Sequence, residues 1–217
     1  MTDTRKADSH GTTSADKMWA PVGNHHLFFC GFHIAKKNPK FQVTTMHYCG
    51  IRGEGDSEMH QCLLYSSVGR DAKLLGVEYI IMDKFFQGLP GEEKKYWHPH
   101  TYEVLGGGLV APMGEEEELR DLLTTWGKTW HTWPDPTTAV PIGDPLLMWA
   151  LTGDGQADET MVAERDKEFA VSTAKIRQKR IEAIGLEVPQ LPPPESVEEI
   201  GRQWMATGKD EPTKYVK

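Results

Sequence analysis

The sequence predicts an α+β fold, an antiparallel sheet with helices, the C-terminal part being helical. Two observations predict it. Short runs rich in β-branched and aromatic residues, separated by Gly, Asn and Pro, dominate the first part of the chain, and helical spacing dominates after Leu151. Strands first and helices later is the order of an α+β domain. No internal repeat is present, and 217 residues suffice for one domain with appendages.

Residues 1–20 are rich in Ser, Thr, Asp and Lys without an apolar period, and are expected to form a disordered leader. A single α+β domain is expected over 21–186. The run His26–His33 (HLFFCGFH) reads as the first strand, Gln42–Cys49 as the second, and Gln61–Ser66 as the third. Residues 50–57 (GIRGEGDS) form a glycine-rich connection. Lys73–Met82 (KLLGVEYIIM) is nearly all apolar, as expected of a strand covered on both faces. Asp83–Trp97 has helical spacing broken at Leu89-Pro90-Gly91. Thr101–Pro112 returns to strand character, and Glu115–Trp126 reads as a helix with glutamates at its N-terminal end. Lys128–Trp133 is a further strand. Helices follow near Ala157–Lys167, Ser172–Ile184 and Ser196–Met205. The tail over 187–217 is broken by Pro192, Pro193 and Pro194.

Composition narrows the function. Lys and Arg number 24 against 32 Asp and Glu, a net charge of −8, which disfavours nucleic acid as a partner. No run approaches the roughly 18–20 apolar residues that span a bilayer, so no transmembrane segment is expected. The N-terminal residues lack the apolar stretch of a secretory signal, which points to the cytoplasm. Three cysteines in such a chain are expected to be reduced thiols rather than a disulfide framework. The size and charge are compatible with a homodimer, though no motif demands one.

Eight of the nine histidines and all three cysteines fall between Asn24 and Trp133, and this concentration carries the functional reading. In Trp97-His98-Pro99-His100, extended backbone would point His98 and His100 to one face, where both could reach one cation. Glu103 is the third donor if a turn intervenes, and the set suits Zn, Fe, Mn or Cu. Against this, two exposed histidines could merely flank a proline turn. His47 and Cys49 share a strand face, which allows ligation or a Cys nucleophile with a His partner, but a bland core Cys49 is the better reading. Glu78 interrupts an apolar strand. A buried carboxylate must be paired, hydrogen-bonded, metal-bound or neutral, so an acid/base or ligand role competes with a structural ion pair. His131 lies in the aromatic run GKTWHTW as a further ligand, a catalytic group or a packed neutral residue. Histidines 25, 26 and 33 are additional candidates. The basic run Lys175–Arg180 reads as a solvated helix face.

Taken as an ordered set, HLFFCGFH (26–33), HYC (47–49), QCLLY (61–65), LLGVEYII (74–81), LPGEEKKYWHPHTYEV (89–104), LVAP (109–112) and GKTWHTW (127–133) resemble the oil-body-associated protein family. This is a group long labelled a domain of unknown function, and the resemblance runs from about His26 to Gly155, about 60% of the chain. The resemblance implies a protein found with seed lipid bodies, with relatives in fungi and bacteria. It implies no reaction and transfers no catalytic residue.

The combined expectation is a cytosolic protein binding a divalent metal ion, Zn or Fe, on His98, His100, Glu103 and His47. Glu78 and His131 would be its catalytic groups if it is an enzyme, with a small apolar, lipid-like or terpenoid molecule as substrate. The alternatives are a non-catalytic protein of the lipid-droplet surface, docking through the thin apolar face of Ser172–Ile184, and a carrier of an apolar ligand.

Overall fold

The computed structural model describes residues 14–53, 58–114 and 116–191. The expected helix at Ser196–Met205, the three prolines of the tail and most of the leader lie outside them. A helix, α1 (Ser14–Gly23), begins inside the segment read as leader. Four strands follow: β1 (Leu27–Ala35), β2 (Asn38–Arg52), β3 (Met59–Tyr65) and β4 (Leu74–Met82). They form an antiparallel meander in sequence order. Short helices α2 (Asp83–Gln87) and α3 (Gly91–Lys94) break where Leu89-Pro90 predicts. Then come β5 (His98–Pro99), α4 (Thr101–Leu105), α5 (Glu116–Asp121) and a 3₁₀ turn over Leu122–Thr124. Strands β6 (Thr125–His131) and β7 (Leu146–Ala150) precede α6 (Glu159–Glu168) and α7 (Thr173–Ile184).

The sheet is not open. β4 pairs antiparallel with β6 along seven register positions, from Gly76 opposite His131 to Met82 opposite Thr125. β7 joins β6 to β1. The result is a closed six-stranded antiparallel barrel, which corrects the α+β expectation, and the C-terminal helices are a minor part of it. Closure satisfies the backbone groups that β4 and β6 would otherwise expose as sheet edges. Gly76 permits the seam: a Cβ there would lie 1.9 Å from the Trp130 carbonyl oxygen. The strand Leu146–Ala150, which completes the ring, was not among the expected elements.

β7 is too short to cover the full gap between β1 and β6. It meets β1 only at His33–Ala35 and β6 only at Thr129–His131. The rest of the gap is filled by the segment from His98 to Val110. On one side His98 and Pro99 pair with Gly127 and Trp126; on the other Val110 pairs with Cys30. This is why Thr101–Pro112 is not the strand its composition predicts: the chain must turn inward, as α4, to plug the wall. Val104, Leu105 and Leu109 pack there against Phe29, Leu64 and Ile80.

Two buried arginines hold this plug from outside. Arg165 of α6 donates to the Gly108 carbonyl at 2.7 Å and the Gly107 carbonyl at 3.3 Å. Arg180 of α7 donates to the Val104 and Leu109 carbonyls, both at 2.7 Å. Arg180 therefore departs from the solvated face read for residues 175–180. The apolar residues Ile176 and Ile184 of α7 also pack inward, so this helix offers little apolar face to a lipid surface. Cys49 and Cys62, cross-strand neighbours, form a disulfide, and Cys30 is free and buried, which corrects the expectation of three reduced thiols.

Replacing Arg165 by Ala strips buried carbonyls of their donor and is expected to cost about 3 kcal/mol in urea unfolding. Arg177→Ala, which breaks a half-exposed pair with Asp154, is expected to cost under about 1 kcal/mol. Equal losses would show that the plug does not depend on the buried guanidinium.

Candidate metal centre

Strand alternation and register decide what enters the barrel. Directly opposed residues share a face. His33 opposes Val43 on β2 and Ala150 on β7; His47 opposes Phe29 and Leu64; Glu78 opposes Cys62 and Thr129; His131 opposes Gly76; His98 opposes Gly127. All of these positions lie on one set, the inner face. His100 and Glu103 arrive from the plug. The barrel thus gathers His33, His47, Glu78, His98, His100, Glu103 and His131, every one of them buried.

Glu78 is the hub. Its Oε2 lies 3.2 Å from His47 Nε2 and 4.0 Å from His33 Nε2. Its Oε1 lies 3.3 Å from His98 Nε2 and 3.4 Å from His100 Nε2, and accepts a hydrogen bond from the Thr129 hydroxyl at 2.8 Å. Glu103 Oε1 is 3.7 Å from His100 Nε2. His33 Nε2 and His47 Nε2 are 3.1 Å apart, and His33 Nδ1 meets His131 Nε2 at 3.0 Å.

The surroundings assign two tautomers. His47 Nδ1 faces the Thr45 carbonyl at 3.1 Å; a carbonyl only accepts, so Nδ1 carries the proton. His100 Nδ1 meets the Thr125 hydroxyl at 2.8 Å, and that hydroxyl donates to the Leu122 carbonyl, so His100 Nδ1 must also donate. A ring whose one proton sits on Nδ1 presents its Nε2 lone pair toward the Glu78 carboxylate. Lone pair against carboxylate is repulsive unless a cation or an extra proton stands between them. An outer hydrogen bond that fixes the free nitrogen is the arrangement of metal-bound histidine.

Burial and contacts set the protonation of the remaining groups. Burial lowers His33 and His98 below the ordinary imidazole range and takes His131 down to about 3, so these rings are neutral near pH 7. Burial pushes Glu78 up, but the contacts with His100, His47 and His98 outweigh it and hold the carboxyl well below its usual value. Burial, reinforced by the Glu78 charge, raises Glu103 well above the carboxylate range. Neither ring nitrogen of His98 has a hydrogen-bond partner among the described residues, although the side chain is fully enclosed. Residue 127 must be glycine for these groups to meet: a Cβ there would lie 2.3 Å from Glu78 Oε1, 2.6 Å from His100 Nε2 and 2.8 Å from His98 Nε2.

The structure therefore brings together all six residues read from the sequence as site candidates, His47, Glu78, His98, His100, Glu103 and His131, with His33 added from the wider list. His25 and His26 are held by nearby backbone carbonyls outside the barrel. Cys49 is on the inner face but bonded to Cys62. Sequence reasoning missed Thr125, Thr129 and Gly127; the alternation of GKTWH does put Gly127, Thr129 and His131 on one face, which was the available signal. At the end of the barrel where β1 and β6 begin, a cleft of about 640 Å³ is lined by Leu27, Ile51, Ile80, Leu123 and Ile184, with Thr125 among its wall residues.

Fold and site define a closed antiparallel barrel with a buried histidine–carboxylate cluster. A family described as "Protein of unknown function (DUF1264)" matches residues 19–184, and the chain belongs to that family. It is 39% identical over 180 residues to oil body-associated protein 1B of Arabidopsis thaliana, covering 81% of this chain and 73% of that protein. It is 35% identical over 184 residues to oil body-associated protein 1A of Zea mays, with coverages of 82% and 76%. It is 34% identical over 213 residues to oil body-associated protein 2C of Arabidopsis thaliana, with coverages of 95% and 84%. The family resemblance read from the ordered blocks is thus borne out. No solved structure matches the chain.

The shifts set a pH dependence for chelator-treated protein. An unfolded His131 takes up a proton near pH 6.5, but the folded ring does so only near 3, so stability falls as pH falls through that window. His33 and His98 act with the same sign. Glu103, raised, opposes them above its ordinary value of 4.5. His60, lowered by burial too, makes four groups against one, which leaves a net loss on acidification from pH 6.5 to 4.5, each group worth up to about 1.4 kcal/mol per pH unit. Urea unfolding at several pH values should show a shallower slope for His131→Asn than for wild type; an unchanged slope would mean the ring is not held neutral.

Proposed function

We propose that this protein is a peripheral protein of the lipid-droplet surface whose barrel holds a divalent metal ion, Zn or Fe being the best match to the donors. The observation that carries the metal reading is the convergence of donors: one ligand atom each from Glu78, His98 and His100, and likewise from His33, His47 and Glu78, lies within 4.8 Å of the others in its set. Metal–ligand bonds of about 2.0–2.2 Å put neighbouring donors about 3.0–3.4 Å apart, the spacing of Glu78 Oε1 from His98 Nε2 and His100 Nε2 at 3.3 and 3.4 Å. An imidazole and carboxylate donor set suits Zn and Fe(II) over Ca or Mg.

The location is supported by the names of the relatives, which are oil body-associated proteins. Among the described residues no helix is long and apolar enough to cross a membrane, so contact would be peripheral. The apolar side chains for it are on α1, where Met18 and Trp19 are each 70% exposed and Val22 is 56% exposed. This replaces Ser172–Ile184, whose isoleucines are committed to the core. Large apolar groups on a short exposed helix are a recurrent means of docking at a lipid interface. A small apolar molecule from the droplet would find the cleft of Leu27, Ile51 and Ile80 beside the centre.

Mass-spectrometric metal analysis of untagged protein should find bound Zn or Fe, and His98→Ala with His100→Ala should lower it by at least half. Metal-free wild type would sink the metal reading. Flotation with triacylglycerol emulsion should fall several-fold in Met18→Glu/Trp19→Glu while metal content holds; unchanged flotation would remove α1 from the contact.

A further inference from the structure

We infer that the barrel binds not one divalent cation but two, bridged by Glu78. One ion takes His33 Nε2, His47 Nε2 and Glu78 Oε2; the other takes His98 Nε2, His100 Nε2 and Glu78 Oε1. The inference rests on the metal reading above and deepens it.

The donor atoms fall into two threes, His33/His47/Glu78 and Glu78/His98/His100, and within each the atoms lie within 4.8 Å of one another. Around a single ion with bonds of about 2.1 Å, neighbouring donors are about 3.0–3.4 Å apart and opposite donors at most about 4.2 Å. The contacts within each three match this: 3.1, 3.2 and 4.0 Å in the first, 3.3 and 3.4 Å from Oε1 in the second. The two threes share one donor residue, Glu78. Its oxygens divide between them, as the two oxygens of a bridging carboxylate do, while the His33 and His98 ring centres stand 6.4 Å apart.

Each three contains one histidine whose Nε2 lone pair is fixed inward from behind, His47 by the Thr45 carbonyl and His100 by Thr125. His33 joins them when its Nδ1–H donates to His131 Nε2, which makes His131 a positioning residue rather than a ligand. His98 is the enclosed ring with neither nitrogen hydrogen-bonded. A second carboxylate lies between the sets. Glu103 Oε1 is 3.7 Å from His100 Nε2, and its Oε2 borders the Cβ-free space at Gly31, which is 3.6 Å from the His47 ring. Four imidazoles and two carboxylates are the donors a dinuclear centre needs, and paired ions a few ångströms apart are suited to activating water or a carbonyl between them.

The test uses the full chain, chelator-treated, dialysed against Mn(II) or Zn(II), and analysed by native and elemental mass spectrometry. Two equivalents per chain are expected. Gly127→Ala keeps every ligand but puts a methyl into the second three, and should retain one equivalent; His33→Ala should likewise retain one. Glu78→Ala should lose the bridge and bind ten-fold or more weakly. The Mn(II) form should give an exchange-coupled electron paramagnetic resonance signal with halved hyperfine spacing. One equivalent in wild type, or two with an uncoupled signal, would overturn the bridged pair while leaving metal binding standing. No metal at all would overturn both.

Discussion

The structure turns on one carboxylate. Glu78 sits inside a barrel, nearly sealed from water, and a carboxylate there must be paired, hydrogen-bonded, metal-bound or neutral. The groups in ion-pair geometry with it are imidazoles, and burial holds three of the surrounding rings neutral. His47 and His100 have their outer nitrogens already donating, so either a cation or an extra proton between these rings and Glu78 would settle the contact.

The irregular part of the fold serves the same cluster. A regular six-stranded barrel of this size fills with side chains. Here one wall strand, β7, stops short, and the gap lets His98, His100 and Glu103 enter from the plug. A plug that leaves sheet pairing exposes carbonyls, and the guanidinium groups of Arg165 and Arg180 satisfy four of them. The C-terminal helices are therefore part of the centre's support, though they contribute no ligand to it.

Barrel and surface carry separate tasks. The cluster is enclosed, with a cleft at one mouth whose wall mixes Leu27, Ile51 and Ile80 with Glu58, Arg120 and Asp121, and the exposed apolar residues of α1 belong to an element that packs outside the barrel. Membership of a family whose curated relatives are named for oil bodies concerns the surface; the histidine cluster concerns the interior. Cys30, whose thiol burial pushes up to about 12, belongs to neither, since it is held as a core residue.

The residue types and their local spacing were enough to single out residues that the barrel gathers. A charge inside KLLGVEYIIM, two imidazoles in HPH and a histidine in GKTWH are anomalies against apolar strands, and each needs a partner wherever the chain goes. The order of the blocks was likewise enough to recognise the family. What local patterning could not decide is ring closure, because pairing β4 with β6 depends on register between segments some fifty residues apart, and an open sheet has the same alternation as a closed one. Nor could it decide that Thr101–Pro112 leaves the sheet, that Arg180 turns inward, or that Cys49 meets Cys62. Those are consequences of the space the barrel leaves, and space is set only once the strands have met.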